Sequence, residues 1–335
     1  MATLGKTAFE RTQREASATA AGYAPPMINT VLGRREWLTL FALAIIWGAA
    51  FFFIATAVRE VPPLTYVWLR LSIAAVALWG WLWLTSGRPS IPREAVGALF
   101  VLALLNNVAP FILFGWGQTH IASGLASILN ATTPLWGVIV AHFYTRDEPM
   151  TAGKLAGILI GVGGVAVMIG PELLGNIGTD ALAQLACVLA SLSYALAGVW
   201  ARRFKRMGVA PANVASWQLL LGALVMLPLT AVVDRPWLLP SPSWGAIGAI
   251  VALAVVCTAY GYILYFRLID RAGATNALLS TLLVPPFAIV LGALFLDEQL
   301  ALRDFAGMAL IALGLAAIDG RPLKWLVRRQ LPEAA

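Results

Sequence analysis

The sequence Phe111-Ile112-Leu113-Phe114 is similar to Tyr262-Ile263-Leu264-Tyr265, which follows 151 residues later. Further along both copies, and after a one-residue gap, Asp147-Glu148 matches Asp297-Glu298. Ordered matches at proline, tryptophan, glycine and acidic positions are not expected of unrelated apolar helices, so they indicate an internal repeat of about 150 residues. The other matches are Ala126 with Ala277, Pro134 with Pro285, Gly157 with Gly307, Gly164 with Gly314, Pro62 with Pro211 and Trp68 with Trp217.

The composition indicates that lipid surrounds much of the chain. Apolar residues make up 60% of the 335 residues and charged residues 12%, whereas soluble domains are nearer half apolar and a quarter charged. The apolar residues form long runs separated by short charged loops, as membrane spans do. We predict ten spans, at 37–57, 65–85, 95–117, 122–143, 153–170, 181–201, 212–233, 244–267, 274–296 and 302–319.

The Lys and Arg residues predict the orientation of these spans. With the N-terminus in the cytoplasm, 19 of the 23 basic residues lie on the cytoplasmic side, three lie outside, and Arg70 lies within a span. This bias is the positive-inside signal of a membrane protein and accounts for the net charge of +7 without a nucleic-acid partner. We expect both termini in the cytoplasm and the chain in a bacterial inner membrane.

These patterns predict an all-α polytopic membrane protein with ten transmembrane helices arranged as two inverted five-helix repeats. The first repeat is expected at 34–171 and the second at 179–320, flanked by cytoplasmic tails at 1–33 and 321–335. The inversion follows because five spans are an odd number, so the second repeat enters from the opposite side. Inverted repeats can exchange conformations and open a central site to either side in turn, which favours a transporter.

Several residue patterns in the spans occur together. They are Trp47-Gly48, Pro63 ahead of Arg70, and the set Pro134, Glu148 and Gly157, repeated as Pro285, Glu298 and Gly307. The combination resembles the drug/metabolite transporter (DMT) superfamily and its bacterial EamA-type exporters, over residues 37–319. Within them it is most similar to the branch that exports amino acids, including aromatic ones. The resemblance implies export of small metabolites or drugs through a central cavity between the halves.

The sequence offers no candidate for catalysis, metal binding or nucleotide hydrolysis. Gly5-Lys6-Thr7 lacks the preceding glycine loop of a phosphate-binding site. Cys187 and Cys257 lie inside apolar runs and are interpreted as packing residues, while His120 and His142 lie at opposite membrane edges. We therefore expect no enzyme, no cofactor and no nucleic acid. The expected partners are a small-molecule substrate and the lipid bilayer; we expect a monomer, with a dimer as the alternative.

Candidate substrate-binding residues are polar or aromatic side chains at mid-span depth. A central arginine costs about 2.5–3.5 kcal/mol on insertion scales, so Arg70 should face a cavity or a partner. The alternative for Arg70 is bonding to backbone carbonyls or snorkelling to the interface. For the other residues the alternatives are interhelical hydrogen bonding and core packing. The predicted set is Trp47, Arg70, Asn106, Asn107, Asn130, Tyr194, Gln218, Tyr260 and Thr281.

Prolines interrupt two matched helices. Pro134 and the pair Pro285 and Pro286 lie at corresponding places in the two halves, and such breaks point to the site or the gate of a transporter. A kink for packing is the alternative. All 16 carboxylates lie in loops, tails or helix ends, so we expect gradient-driven movement, or coupling through something other than a buried carboxylate.

The predicted function is export of amino acids, including aromatic ones, or of related small metabolites by alternating access. The cavity is expected between helices 1, 3, 4, 6, 8 and 9. A multidrug exporter of the same fold, a passive channel and a membrane-embedded enzyme are the alternatives.

Overall fold

The structure, a computed structural model, describes residues 33–144, 150–170, 178–272 and 279–319. These residues form helices and no strands. All but one residue of the two predicted tails, and the acidic pair Asp147-Glu148, lie outside the described residues.

The described residues form ten helices, α1 to α10 in chain order, and a short 3-10 turn, Pro236–Leu238, between α7 and α8. Most helices begin close to a proline, serine or threonine and end at a glycine or a charged loop, as helix-terminus preferences predict. The helices are α1 Arg34–Val58, α2 Pro63–Ser86, α3 Ala95–Gly117, α4 Ser123–Tyr144, α5 Ala152–Ile169, α6 Thr179–Arg206, α7 Pro211–Val233, α8 from Trp244–Ala252 through Leu253–Tyr260 to Gly261–Ala272, α9 Leu279–Phe295 and α10 Leu302–Asp319.

Eight of these helices, α1 to α8, are long and apolar enough to cross a membrane. The described part of α9 is a shorter apolar helix, and α10 carries Arg303 and Asp304 in its first turn. Large apolar side chains such as those of Val76, Leu84 and Leu294 lie on the outside of the bundle. A surface of this kind requires lipid, so the chain is a helical, multi-pass membrane protein.

The main helix contacts recur between the first five helices and the last five. α1 packs against α8 and α9, and α6 packs in the same way against α3 and α4. α2 contacts α8 as α7 contacts α3, and three pairs, α2 with α7, α4 with α9 and α5 with α10, contact each other. Exchanging each helix for the one five places along the chain returns these main contacts. A duplicated five-helix unit is expected to pack in this way.

Glycines let α5 and α10 pack with their backbones in contact. A Cβ added to Gly157 would lie 2.5 Å from the carbonyl oxygen of Gly314, and one added to Gly164 would lie 2.7 Å from that of Gly307. Gly161 faces a leucine of α4 just as closely. Small residues at such spacing permit the close approach that stabilises helix pairs in membranes. The pair α5–α10 therefore forms a tight contact at one side of the bundle.

Candidate functional site

A cavity of about 330 Å³ lies between the helices. Its described lining residues come from α1, α2, α3, α4, α6, α7, α8 and α9. This includes the six helices predicted from the sequence and adds α2 and α7, which supply Arg70 and Gln218.

Most of the residues predicted to bind substrate line this cavity. Asn107 is an exception because it is fully buried behind the wall, and Tyr260 is another because its side chain lies on the outer surface of α8 with 46% of its area exposed. The seven that line the cavity are Trp47, Arg70, Asn106, Asn130, Tyr194, Gln218 and Thr281.

Two π-helical segments lie in the helices that form this part of the cavity wall. α3 is π-helical over Leu104–Val108 and α8 over Leu253–Tyr260, at corresponding positions of the sequence repeat. A π-helix closes its hydrogen bonds five residues apart, so the side chains after it face a different direction from those of a regular α-helix. Tyr260 lies two residues from Thr258 and Tyr262, which line the cavity four residues apart, so Tyr260 faces the opposite side of α8 and does not line the cavity.

Arg70 is an ionised side chain in the cavity wall. It is 7% exposed, and its Nε donates a hydrogen bond to the hydroxyl of Thr258 at 3.0 Å. The guanidinium carbon lies 3.5 Å from the centre of the Phe111 ring, a cation–π contact that contributes about 0.5–2 kcal/mol. The Thr258 hydroxyl donates to the carbonyl of Leu253 at 2.8 Å, which fixes its position. The guanidinium also lies beside the Tyr66 side chain. Arg70 lines the cavity, where its charge can attract a carboxylate.

Amides and a phenol form a hydrogen-bonded chain along the wall made by α3, α7 and α8. Asn106 Nδ2 donates to Gln218 Oε1 and to the Tyr262 hydroxyl, both at 3.1 Å. The Tyr262 hydroxyl donates to Asn107 Oδ1, also at 3.1 Å. Interhelical hydrogen bonding, the alternative weighed for these amides, is thus present, and three of the four side chains also line the cavity. Asn107 supports the wall from behind by orienting Tyr262.

α4 is interrupted beside Pro134. Its α-helical segments are Ser123–Asn130 and Thr133–Tyr144. Proline has no N–H, so the Asn130 carbonyl loses its helical donor, and the Thr133 hydroxyl donates to that carbonyl at 2.7 Å instead. Asn130 and Thr133 both line the cavity. The interruption predicted at Pro134 therefore places polar groups in the wall.

The matching prolines of α9 do not interrupt their helix. Pro285 and Pro286 lie inside α9, and the helix continues through both. α1 packs closely against this stretch because a Cβ on Gly48 would lie 3.1 Å from the carbonyl oxygen of Val284. A neighbouring helix can hold a proline-containing helix in shape in this way. The predicted break at Pro285 and Pro286 is thus absent, although Thr281 and Val284, on the turn before, line the cavity.

Aromatic rings form much of the remaining wall. The ring of Trp47 lies 5.4 Å from that of Tyr265. Phe114 stacks on Tyr194 at 6.1 Å and meets Phe51 edge-on at 5.5 Å. Such rings bury apolar or aromatic groups with defined geometry. The cavity thus combines a cation and amides with an aromatic surface.

A family model matches the chain twice, over residues 35–170 and 181–318, and its description is "EamA-like transporter family". The chain belongs to the EamA-like transporter family. As a member of this family it is a membrane transporter of small molecules, which agrees with the resemblance in the sequence.

Named relatives of this EamA-like transporter match along nearly their whole length. It is 27% identical over 293 residues to the "Uncharacterized transporter YoaV" of Bacillus subtilis, covering 86% of this chain and 96% of that protein. It is 25% identical over 301 residues to the "Probable amino-acid metabolite efflux pump" of Escherichia coli, covering 88% and 97%. It is also 25% identical over 295 residues to the "Probable terminal-alkyne amino-acid exporter" of Streptantibioticus cattleyicolor, covering 87% and 95%.

A solved crystal structure shares the fold of this EamA-like transporter. The TM-score is 0.60 at 18% sequence identity, and the match covers 89% of this chain and 99% of that one.

Three carboxylates bond to helix N-termini at one end of this transporter, and sequence reasoning missed all three. We call them the carboxylate caps: Glu298, Glu60 and Asp234. Glu298, between α9 and α10, accepts hydrogen bonds from Ser123 N at 2.8 Å, Ser123 Oγ at 2.8 Å and Gly124 N at 3.2 Å, at the start of α4.

The other two caps also join the first five helices to the last five. Glu60, after α1, accepts from the backbone N and the hydroxyl of Ser243, before α8, at 2.7 and 2.6 Å. These hydrogen bonds lower the pKa of the Glu60 carboxyl below its ordinary value. Asp234, after α7, accepts from the N and Oγ1 of Thr65, in α2, at 2.8 and 2.7 Å. Anions at helix N-termini are favoured by the exposed N–H groups and the helix dipole, so the caps hold this end of the bundle together.

Proposed function

We propose that this transporter exports amino acids, including aromatic ones, or closely related metabolites by alternating access. The observation that carries the proposal is the make-up of the cavity, with the positive charge of Arg70 beside amides on one wall and aromatic rings on another. A small molecule with a carboxylate and an apolar body matches both surfaces. The names of the Escherichia coli and Streptantibioticus relatives support the same class of substrate.

We propose that all ten helices cross the membrane, as two inverted repeats at 34–171 and 179–320. Three findings support the duplication. The family model matches 35–170 and 181–318 separately, the π-helical segments of α3 and α8 correspond, and the main helix contacts recur between the halves. The inversion and the cytoplasmic termini rest on the positive-inside bias of the loops. A bacterial inner membrane is the proposed location.

In this orientation the cavity extends toward the cytoplasm. Leu102, Ala201 and Phe266 line it and lie near the proposed cytoplasmic ends of α3, α6 and α8. The three carboxylate caps lie at the opposite end. We infer that the structure represents an inward-facing state whose outer end is held closed by the caps.

Glu298→Gln is expected to raise the exposure of the cavity to the outside at least about tenfold. The substitution keeps the size of the side chain but removes the charge that accepts three hydrogen bonds, and hydrogen bonds to charged groups contribute about 1.5–3 kcal/mol. The measurement is the labelling rate of a cysteine in the cavity by a membrane-impermeant maleimide added outside. Asp297→Asn, one residue earlier, is the matched control, and equal rates for both variants would contradict the role of the cap.

Trp47→Ala and Asn130→Ala are expected to raise the KM for substrate about tenfold each, or ~1.4 kcal/mol. Both side chains line the cavity, whereas Tyr260→Ala, on the outer surface of the same bundle, should leave KM unchanged. The measurement is counterflow of labelled amino acids in proteoliposomes. Saturable counterflow supports a carrier, linear flux points to a channel, and product formation points to an enzyme. Unchanged kinetics in both cavity variants would rule out this site.

A further inference from the structure

We propose that Gln118 and Gln184 line the outer section of the transport pathway, which is closed in this structure and admits water and the polar groups of the cargo when the outer end opens. The inference rests on the alternating access of the proposed function and extends the pathway beyond the cavity described above. Two observations carry it: both side chains have buried amide atoms without a partner, and both residues lie on helices that line the cavity.

The first observation concerns the amides at the proposed outer ends of α3 and α6. Gln118 directly follows α3 and is 7% exposed, and Gln184 lies in the second turn of α6 and is 4% exposed. Among the described residues, neither Nε2 nor Oε1 of Gln118 has a hydrogen-bond partner, and Oε1 of Gln184 has none. A buried polar atom without a partner loses its hydration and gains nothing in return, so this arrangement is costly.

The second observation concerns the position of both residues relative to the cavity. Phe114 and Tyr194 are the outermost described residues of α3 and α6 that line the cavity, and their rings stack at 6.1 Å. The backbone N–H of Gln118 donates to the Phe114 carbonyl at 2.9 Å, so Gln118 lies one turn further out on the same face of α3. Gln184 lies ten residues beyond Tyr194, or ~15 Å along α6. Both amides thus lie outward of the ring pair that ends the cavity.

α3 and α6 close against each other where the two amides lie. A Cβ added to Gly117 would lie 3.2 Å from the carbonyl oxygen of Ala183 and 2.6 Å from the sulfur of Cys187. Gly117 directly precedes Gln118, and Ala183 directly precedes Gln184. A movement that opens the outer end must separate this contact, and the same movement exposes both amides.

Opening of the outer end therefore removes the cost of the buried amides. Glutamine offers both donors and acceptors, so water or either polar group of an amino acid can satisfy Gln118 and Gln184 once α3 and α6 separate. The two residues favour the open state, whereas the carboxylate caps, such as Glu298 at the start of α4, favour the closed one. The balance between them sets how often the outer end opens.

The experiment measures whether position 118 becomes accessible from outside when the outer end opens. Gln118→Cys is placed in the full chain with Cys187 and Cys257 replaced by alanine, once with Glu298 and once with Glu298→Gln. We expect an impermeant maleimide added outside to label it at least about tenfold faster in the Glu298→Gln protein, and no labelling from the cytoplasmic side in either. Leu189→Cys, on the outer surface of α6, is the control and should stay unlabelled in both.

A cysteine at the cavity residue Gly198 shows whether the outer end opens at all. Labelling of Gln118→Cys at equal rates in both proteins, or from the cytoplasmic side, would overturn the inference. Labelling of Gly198→Cys from outside without labelling of Gln118→Cys would overturn the inference and leave the proposed function standing. If Gly198→Cys is labelled from outside in neither protein, alternating access fails and the inference fails with it.

A second variant removes both amides and keeps the size of the side chains: Gln118→Met combined with Gln184→Met. Apolar side chains of similar shape carry no unpaired polar atoms, so the closed state should become more stable. In the Glu298→Gln protein we expect labelling of Gly198→Cys from outside to slow about tenfold, or ~1.4 kcal/mol. Gln299→Met, at an exposed position of the same end, is the control and should change nothing. Unchanged or faster labelling in the double variant would show that the amides do not oppose closure, and would overturn the inference.

Discussion

Arg70→Gln is expected to lower the kcat/KM for carboxylate substrates about 100-fold, or ~2.7 kcal/mol, because glutamine cannot offer a charged, two-pronged donor to a carboxylate. The side chain is mostly buried and forms part of the cavity wall. Transport in proteoliposomes measures the effect. Arg59→Gln, in the loop after α1, is the control and should keep normal transport.

The same variant separates a binding role from a structural one. The substitution removes the hydrogen bond to Thr258 and the cation–π contact with Phe111, but among the described neighbours it leaves no unpaired carboxylate behind. The Arg70→Gln protein is therefore expected to stay folded, with a melting temperature only modestly below that of the natural protein. Normal transport by a well-folded Arg70→Gln protein would contradict the proposed site. A large fall in melting temperature would show that Arg70 holds α2 against α8 through Thr258 and has a structural role as well.

Gly164→Val is expected to destabilise the protein by at least about 2 kcal/mol, because overpacking a close contact typically costs about 1–3 kcal/mol. A Cβ at this position would lie 2.7 Å from the carbonyl oxygen of Gly307 and 3.0 Å from the Cβ of Leu310. The backbone of α10 cannot move aside without separating the α5–α10 pair. The measurement is the melting temperature of the detergent-solubilised protein.

Gly163→Val is the matched control for this prediction. It is the preceding residue of the same helix, and a Cβ there meets nothing within 4 Å. Both variants place a β-branched residue in α5, so any difference between them reports packing and not helix propensity. Equal melting temperatures would contradict the close contact between α5 and α10.

The sequence predicts the helices well because the apolar runs and their polar ends act locally. The third span, predicted at 95–117, coincides with α3, and the second, predicted at 65–85, lies within α2 at Pro63–Ser86. Depth in the span also finds most cavity residues, since a polar group in mid-membrane needs a partner or water. Trp47, Arg70 and Asn130 were found in this way.

The remaining parts of the site depend on features that no local pattern encodes. Tyr260 was predicted from its depth in the span, but the packing of α8 against its neighbours places Tyr260 on the outside and Tyr262 in the cavity wall. The sequence did contain a signal for Tyr262 as a site residue. Tyr262 occupies the position of the second repeat that matches Phe111 in the first, and it adds a hydroxyl group there. The cap formed by Glu298 joins residues 175 positions apart, and in the sequence it looks like an ordinary acidic residue of a loop.

The central claim is that two inverted halves open a shared cavity to either side of the membrane in turn. The most direct test measures whether a reagent reaches one cavity position from each side. Gly198 lines the cavity and has room for a side chain, so Gly198→Cys can be placed in a protein whose two native cysteines, Cys187 and Cys257, are replaced by alanine. We predict labelling by an impermeant maleimide from the cytoplasmic side in the resting protein, and a shift to the outer side in the Glu298→Gln protein. Labelling from the same side alone in both proteins would contradict alternating access.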